Sequence, residues 1–285
     1  VHAMVEERIM GRLALRPALR AYAHAPAAET EAPWVNEKSM SFDGTDDLFG
    51  TAAGGGLPDN GVSPYSVSLW LKLLATGSGT KTILGSNDPA QNVTRMGLTL
   101  NHFQRKLSLT IRGDSTGYSS TGSTVLTVGT WYHVCITDIG FLQASPAAMN
   151  VYVNGVSQLT WEGEDYSANH DQHLYLGGNK ASNFSPGDEN KFFDCGIDEV
   201  GVWRTQVLTP TEAALIYDGN GTRTAGPTDL EDTTGVTVPD SYWRMGDLDD
   251  TDGAGGTIKD RIGSYHMTAG SGNGSGAPAV STSVP

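Results

Sequence analysis

Carboxylates supply most of the chemistry this chain can offer, and four groups of them stand out along the sequence. Asp43, Asp46 and Asp47 form the first, and Glu162, Glu164 and Asp165 the second. The adjacent Asp198 and Glu199 form the third, and Asp247, Asp249, Asp250 and Asp252 the fourth. Two carboxyls can hydrolyse a glycosidic bond, and the retaining mechanism needs them about 5–5.5 Å apart. Alternate positions of one strand supply that arrangement. Asp198 and Glu199 are neighbours, so a regular strand points them to opposite faces and denies them the role. Glu162 and Glu164 do alternate, but Gly163 and the run Tyr166-Ser167-Ala168-Asn169 predict a loop there. Clustered acids can also hold a hard cation, which takes about six to eight oxygens and so draws on separate loops. The fourth group looks suited, yet Gly253 is out of register with an EF-hand loop, and we read the segment as a solvated acidic turn. The seven histidines include no H-E-x-x-H spacing, and no serine sits in a nucleophile elbow between a strand and a helix.

Sugar recognition is a third chemistry, needing aromatic rings beside polar groups in exposed loops. Trp161, Tyr166, His170 and His173, with Asp165, Asn169 and Asp171, form such a cluster between two expected strands. The same aromatics would serve equally well packed beneath a long loop.

The charge balance narrows the partners. Eighteen basic against 32 acidic residues give a net charge of −14, which disfavours a phosphate backbone, so nucleic acid is not expected as a partner. Acidity suits a solvated outer face or cation binding. No apolar stretch approaches the roughly 18 residues of a membrane span, so no membrane partner is expected either. Residues 1–36 stand apart. Arg8, Arg12, Arg16 and Arg20 recur every four positions, and a helix would gather them on one drifting face, with Ile9, Leu13 and Leu19 for packing. Pro17 interrupts that helix, and Pro26 and Pro33 mark an extended connector. We read an assembly arm that grips a neighbouring subunit or lattice. A disordered tail is the rival. Ala23-His24-Ala25 resembles a signal cleavage site, but the arginines break the apolar core a signal requires.

The elements that must position these groups are short strands. Leu98–Leu100, Leu107–Ile111 and Met149–Val153 alternate apolar and polar residues, and 36 glycines with frequent Ser, Thr, Asn and Asp supply the turns between them. Asn154-Gly155 predicts a type I′ hairpin. Thr209-Pro210-Thr211-Glu212 predicts a helix start, with Thr at the N-cap, Pro at the first position and Glu three residues on, and Gly219 predicts its stop.

Six blocks in order resemble the laminin-G-like group of concanavalin-A-like sandwiches: Ser41–Asp47 (S-F-D-G-T-D-D), Ser66–Lys72, Gly129–Val134 (G-T-W-Y-H-V), Val151–Gly155, Leu174–Gly178 and Gly196–Trp203 (G-I-D-E-V-G-V-W). The resemblance implies an all-β fold: a concanavalin-A-like jelly-roll β-sandwich of two antiparallel sheets, with one short helix and an extended N-terminal arm. It divides the chain into an arm at 1–36, a sandwich at 37–226 and an extension at 227–285 that adds strands to the same sandwich. It implies core positions for Trp70, Trp131 and Trp203. Several such relatives bind calcium, so Asp43, Asp46, Asp47 and Asp198 are candidate ligands of a structural calcium ion, with turn capping as the alternative. No other cofactor is expected. Hydrolases of the fold carry an E-x-D-x-x-E strand, which this chain lacks. Cys135 and Cys195 occupy tight places in the pattern, and whether they are bridged is left open. Ser241–Asp247 with Thr257–Asp260 and Gly263–Thr268 resembles strands that accompany such domains, here placed after the sandwich as in laminin-G-like structural proteins of tailed phages.

Together these readings give an expected non-enzymatic virion structural or decoration protein. Its partners would be a major capsid or tail protein and copies of itself, and its place the virion surface. A secreted, extracellular lectin for host polysaccharide is the alternative, and a glycoside hydrolase the third reading.

Overall fold

Strand alternation sets the layout. Along Tyr65–Leu73, Val67, Leu69, Leu71 and Leu73 enter the main core, while Ser66, Ser68, Trp70 and Lys72 point away from it. The computed structural model describes residues 34–58, 63–88, 93–112, 117–140, 147–163, 173–178, 192–247, 256–270 and 276–285. The chain runs through β1 (Ser39–Asp43), β2 (Phe49–Thr51), β3 (Tyr65–Leu73), β4 (Thr80–Asp88), β5 (Val93–Asn101), β6 (Lys106–Arg112), β7 (Gly117–Val125) and β8 (Trp131–Asp138). It continues through β9 (Ala147–Val153), β10 (Val156–Gly163), β11 (His173–Leu176), β12 (Asp194–Trp203), α1 (Pro210–Asp218), β13 (Ser241–Trp243), β14 (Thr257–Ile258), β15 (Met267–Ala269) and β16 (Ala279–Ser281). Two antiparallel sheets of eight strands result. One follows the order β10-β9-β8-β3-β12-β1-β16 with β13 also on β12, and the other β14-β15-β2-β11-β4-β5-β6-β7. Their facing sides pack Leu98, Leu100, Leu107, Leu109, Ile111, Met149, Val151 and Val153, the apolar halves of the alternating stretches, into one core.

A second cluster lies beneath α1, where Cys135, Tyr152, Trp203, Leu208, Ala213, Ile216, Leu230 and Tyr242 cover the outer side of the first sheet. The helix begins as its sequence dictates. Thr209 Oγ1 accepts from the Glu212 amide at 3.2 Å, and the Glu212 carboxylate accepts from the Thr209 amide at 2.7 Å. Gly219 ends it at φ 66°, its N–H donating to Leu215 O at 3.0 Å. The β9–β10 hairpin turns at Asn154 (φ 51°) and Gly155 (φ 73°), as a type I′ turn requires.

The C-terminal extension is woven into both sheets. β13 pairs with β12, β15 with β2, and β16 with β1. Residues 35–285 are accordingly one compact unit. Trp243 is fully buried in the main core, and its indole N–H donates to Tyr265 O at 2.9 Å. Trp70 and Trp203 are buried as expected, but Trp131 is only half-buried and lies under the Lys72 ammonium, 4.8 Å from the ring centre. Both cysteines are free, Cys195 in the main core and Cys135 in the cluster under α1. The arm residues Arg8, Arg12, Leu13, Arg16, Leu19 and Arg20 lie outside the described residues.

Because Trp243 fills the core from the extension, Trp243→Ala is expected to cost about 3–5 kcal/mol of unfolding free energy. Urea denaturation of the full chain measures this; a loss below 1 kcal/mol on that scale would mean that the extension merely decorates the sandwich.

Candidate functional site

The turn after β1 gathers three of the four candidate cation ligands. Gly44 reverses the chain at φ 71°, Asp43 Oδ1 accepts from the amides of Thr45 (2.7 Å) and Asp46 (3.3 Å), and Asp47 Oδ2 accepts from the Asp43 amide (2.8 Å). Carboxylate oxygens of Asp43, Asp46 and Asp47 lie within 4.8 Å of one another. Gly276 closes the group from the C-terminal side. A Cβ there would stand 2.5 Å from both Asp46 Oδ1 and Asp47 Oδ1, so only glycine fits without displacement. Burial raises the Asp47 pKa and the charges of Asp43 and Asp46 add to it, while the Asp43 amide offsets part. The donor set suits a hard cation, and it equally completes the turn by capping backbone amides.

Asp198 does not join this group, contrary to the sequence reading. β1 and β12 do pair, but the register places Asp194 opposite Asp43 and Ile197 opposite Met40, which carries Asp198 away along the strand.

Asp198 belongs instead to a buried polar cluster. The β12–β3 register shifts between Asp198 and Gly201, and Glu199 adopts φ 48°, a bulge that breaks the alternation expected of a regular strand. Asp198 and Glu199 thereby fall into one electrostatic group with Asp247, correcting their assignment to opposite faces. Arg244 sits among them, its Nε 3.4 Å from Glu199 Oε1 and its Nη2 3.3 Å from Asp247 Oδ2, and it also donates to Val35 O. Tyr242 donates its hydroxyl proton to Glu199 Oε2. Asn36 Nδ2 donates to Asp198 Oδ2 at 3.0 Å, the Glu199 amide to Asp198 Oδ1 at 2.9 Å, and the Glu37 amide to Asp247 Oδ2 at 2.9 Å. Asp247 is therefore no solvated turn residue. Asp198, Glu199, Arg244 and Asp247 are all at most 4% exposed.

One guanidinium thus faces three buried carboxyls. Burial, then the Glu199 charge, pushes the Asp198 pKa well up; burial raises Glu199 as well, with Arg244 and Tyr242 offsetting part. Burial and the neighbouring carboxyl charges thus favour the protonated form of Asp198. The cluster ties strands together and offers no substrate access.

A buried Ser–His pair went unnoticed in the sequence. Ser68 Oγ lies 2.8 Å from His133 Nε2, and the imidazole stacks on Tyr217 with ring centres 6.3 Å apart. Burial, aided by the Arg223 charge, lowers the His133 pKa to about 3. Ser68 is 1% exposed and His133 is fully buried, so the neutral pair fastens β3 to β8. Ser68 and His133 both fall on alternating positions facing away from the core, the signal that could have joined them.

The aromatic sugar-binding cluster fares differently. Trp161 is within β10, half-buried and packed on the main core, so it is not the loop aromatic expected. His173 opens β11, its Nδ1 2.7 Å from Thr51 O and its ring stacked on Tyr175. Asp165, Tyr166, Asn169 and His170 lie outside the described residues. A cleft of about 480 Å³ opens between the end of α1 and residues 228–234, lined by Leu215, Asn220, Thr222, Arg223, Thr228 and Asp232 among others. It contains no aromatic ring. The Arg223 guanidinium is already committed to carbonyls, among them those of Ile216 and Gly226.

Known proteins fit this architecture. A family model described as the concanavalin A-like lectin/glucanases superfamily matches residues 43–214. A candidate carbohydrate-binding protein from Bacteroides ovatus superposes with a TM-score of 0.58 at 18% identity, covering 87% of this chain and 60% of its own length. The chain thus spans three-fifths of that protein. The heptameric SAP-like pentraxin of Limulus polyphemus superposes with a TM-score of 0.52 at 17% identity, covering 84% of this chain and 97% of its own. At these identities the likeness establishes the fold. No curated protein sequence matches the chain.

The buried acids give a pH prediction. An acid whose folded pKa is raised binds more protons folded than unfolded, so its contribution is full below the unfolded value near 4 and is lost as pH rises through the folded value. Asp138, pushed up to about 7 by burial and partly offset by the Gly140 amide and the Tyr65 hydroxyl, behaves the same way. His133 acts oppositely, but only below its unfolded value of about 6.5. Between pH 6.5 and 8 stability is therefore expected to fall, by about 1.4 kcal/mol per pH unit for each group still holding its proton. Thermal melts across that range should show the fall, and Asp198→Asn should flatten it. A melting temperature rising from pH 6.5 to 8 would contradict the assignment.

Proposed function

We propose, from the premise that the chain belongs to the concanavalin A-like lectin/glucanases superfamily, that it is a non-enzymatic carbohydrate-binding sandwich. One observation carries the choice between lectin and glucanase. The group of carboxyls around β12, Asp198, Glu199 and Asp247, is sealed from solvent and held by Arg244, Asn36 and Tyr242, whereas glycoside hydrolysis needs two acids open to substrate. The likeness in fold to the candidate carbohydrate-binding protein supports the same reading. Glycans on a cell surface or in an extracellular matrix are its partners, and the extracellular space is its location.

A second reading places this sandwich on a virion surface as a structural or decoration protein, with a capsid or tail protein and further copies of itself as partners. The order of the chain favours it: the Tyr242–Asp247 block follows the family-matched region, as in the phage structural proteins it resembles. Either role can include a structural calcium ion held by Asp43, Asp46 and Asp47 at the turn that Gly276 closes.

A glycan array probed with the labelled full chain is expected to show binding to at least one polysaccharide class, with no reducing sugar released from laminarin, agar or alginate. Sustained release would overturn the non-enzymatic reading, and an empty array the carbohydrate-binding one. Millimolar calcium is expected to raise the melting temperature of the wild type and not of Asp47→Asn. An equal response in both would remove calcium from the turn.

A further inference from the structure

Three loops meet at one end of the sandwich and are bonded into a ring. The His102 amide of the β5–β6 turn donates to Gly79 O of the β3–β4 loop at 2.9 Å. The Leu126 amide of the β7–β8 loop donates to Arg105 O at 2.8 Å, and the Gly129 amide to Leu73 O at 2.8 Å. His102 seals the junction beneath, so close to Gly77 that a Cβ there would lie 2.4 Å from its Nδ1. The platform is thus fixed by backbone, and its outward side chains are free to serve another purpose.

Those side chains are unlike the rest of the chain. Phe103 stands 87% exposed at the tip of the β5–β6 turn, with Val125 at 44% and Val128 at 37%. Thr76, Ser78, Thr80, Gln104, Thr127 and Thr130 are exposed around them. The segments 74–81, 101–106 and 125–131 contain no Asp or Glu but carry Lys81, Arg105 and Lys106, in a chain of net charge −14. None of the ion pairs among the described residues includes Arg105 or Lys106. Acids border the platform on one side: Asp194, at the start of β12, accepts the Leu74 amide through its carbonyl and acts electrostatically on His102, and Asp43 lies opposite it at the end of β1.

The turn also carries a conformational cost. Arg105 takes φ 55°, a left-handed conformation disfavoured for any residue but Gly, Asn or Asp. Its amide donates to Asn101 O at 2.6 Å and the Gln104 amide to Asn101 Oδ1 at 2.9 Å, so the turn is held in this form. Folding alone would be better served by Asn at 105 and a polar residue at 103.

We propose that this end binds an acidic polysaccharide, with the Phe103 ring stacking on a sugar face and Arg105 and Lys106 meeting its carboxylate or sulfate groups. The proposal rests on the carbohydrate-binding reading and names its ligand class. Charge complementarity selects the sign of the ligand, because a basic patch on three acid-free loops of an acidic protein attracts polyanions locally and repels a cationic surface. The scale of the apolar contact selects a glycan over a membrane. One phenylalanine and two half-exposed valines are too small an anchor, when even a single acyl chain gives only marginal membrane attachment. The surrounding hydroxyls and Gln104 suit sugar hydroxyls, and a repeating polymer multiplies a weak contact.

The test uses the full chain in affinity electrophoresis through alginate and, separately, through neutral dextran, with co-sedimentation on phosphatidylserine–phosphatidylcholine vesicles. Alginate is expected to retard the wild type more than dextran does, and added salt to weaken the effect. Phe103→Ser and the double variant Arg105→Asn, Lys106→Gln are each expected to lose affinity for alginate about tenfold, near 1.4 kcal/mol. Asn tolerates the left-handed turn, so melting temperatures should not fall. Retention of both variants at the wild-type level overturns the proposal. So does vesicle binding without alginate binding, which would make the end a membrane contact, or a self-association that Phe103→Ser abolishes while alginate does not bind. Binding to neutral glycans alone would sink this inference and leave the carbohydrate-binding reading standing; binding to no glycan would sink both.

Discussion

A single strand, β12, has to satisfy two partners along the same edge, and the rest of the molecule is arranged around that demand. Its first half pairs with β1 and its second half with β13, while β3 runs along the opposite edge. The handover falls at Asp198–Glu199, where the ladder is interrupted and backbone groups must find other company. Nature's solution here is polar: Arg244 follows β13 directly, and Asn36 and Glu37 lead into β1, so both incoming strands carry groups to the gap. The buried polar cluster is therefore a joint.

Much of this was legible beforehand because the relevant physics is local. The Thr209–Glu212 capping box, the Asn154-Gly155 turn and the period-2 strands are each decided by a few neighbouring residues, and each is found where the sequence places it. The misread residues depend on distant ones. Nothing near Glu199 announces a left-handed backbone, since glutamate has no special tolerance for it, and the bulge follows from strands that arrive from both ends of the unit. Glycine and acids after Trp161 predict a loop, whereas Trp161 lies within β10 and packs on the main core. The family resemblance groups Asp198 with Asp43, and their strands do pair, but the register, set by which faces are buried, keeps the two apart.

The division of labour between face and end follows from the same packing. The outer side of β3 and β8 is spent on Ser66, Ser68, Trp70 and His133, which fasten α1 and its flanking segments to the sheet. What remains for recognition is the loop ends, where backbone hydrogen bonds fix position and side chains need not pack. One end carries both signs: Asp43 at the close of β1 lies opposite Asp194, whose carbonyl meets the β3–β4 loop, so the acidic turn and the loops bearing Arg105 and Lys106 share that end. A ligand approaching that end meets a basic patch beside an acidic turn, not a uniformly acidic surface.

The pairing of β1 with β16 has a mechanical consequence. Ser39 stands opposite Ser281, and its hydroxyl donates to Ser283 O at 2.8 Å, so the chain enters and leaves the sandwich side by side. Tension applied between these two points would load the short antiparallel ladder one rung at a time, the geometry of unzipping, which yields at far lower force than shearing a whole ladder at once. Drawn sideways through any other strand, the same sandwich resists with many rungs in parallel. Direction of pull, and not the stability of the fold, would decide how this unit behaves under load.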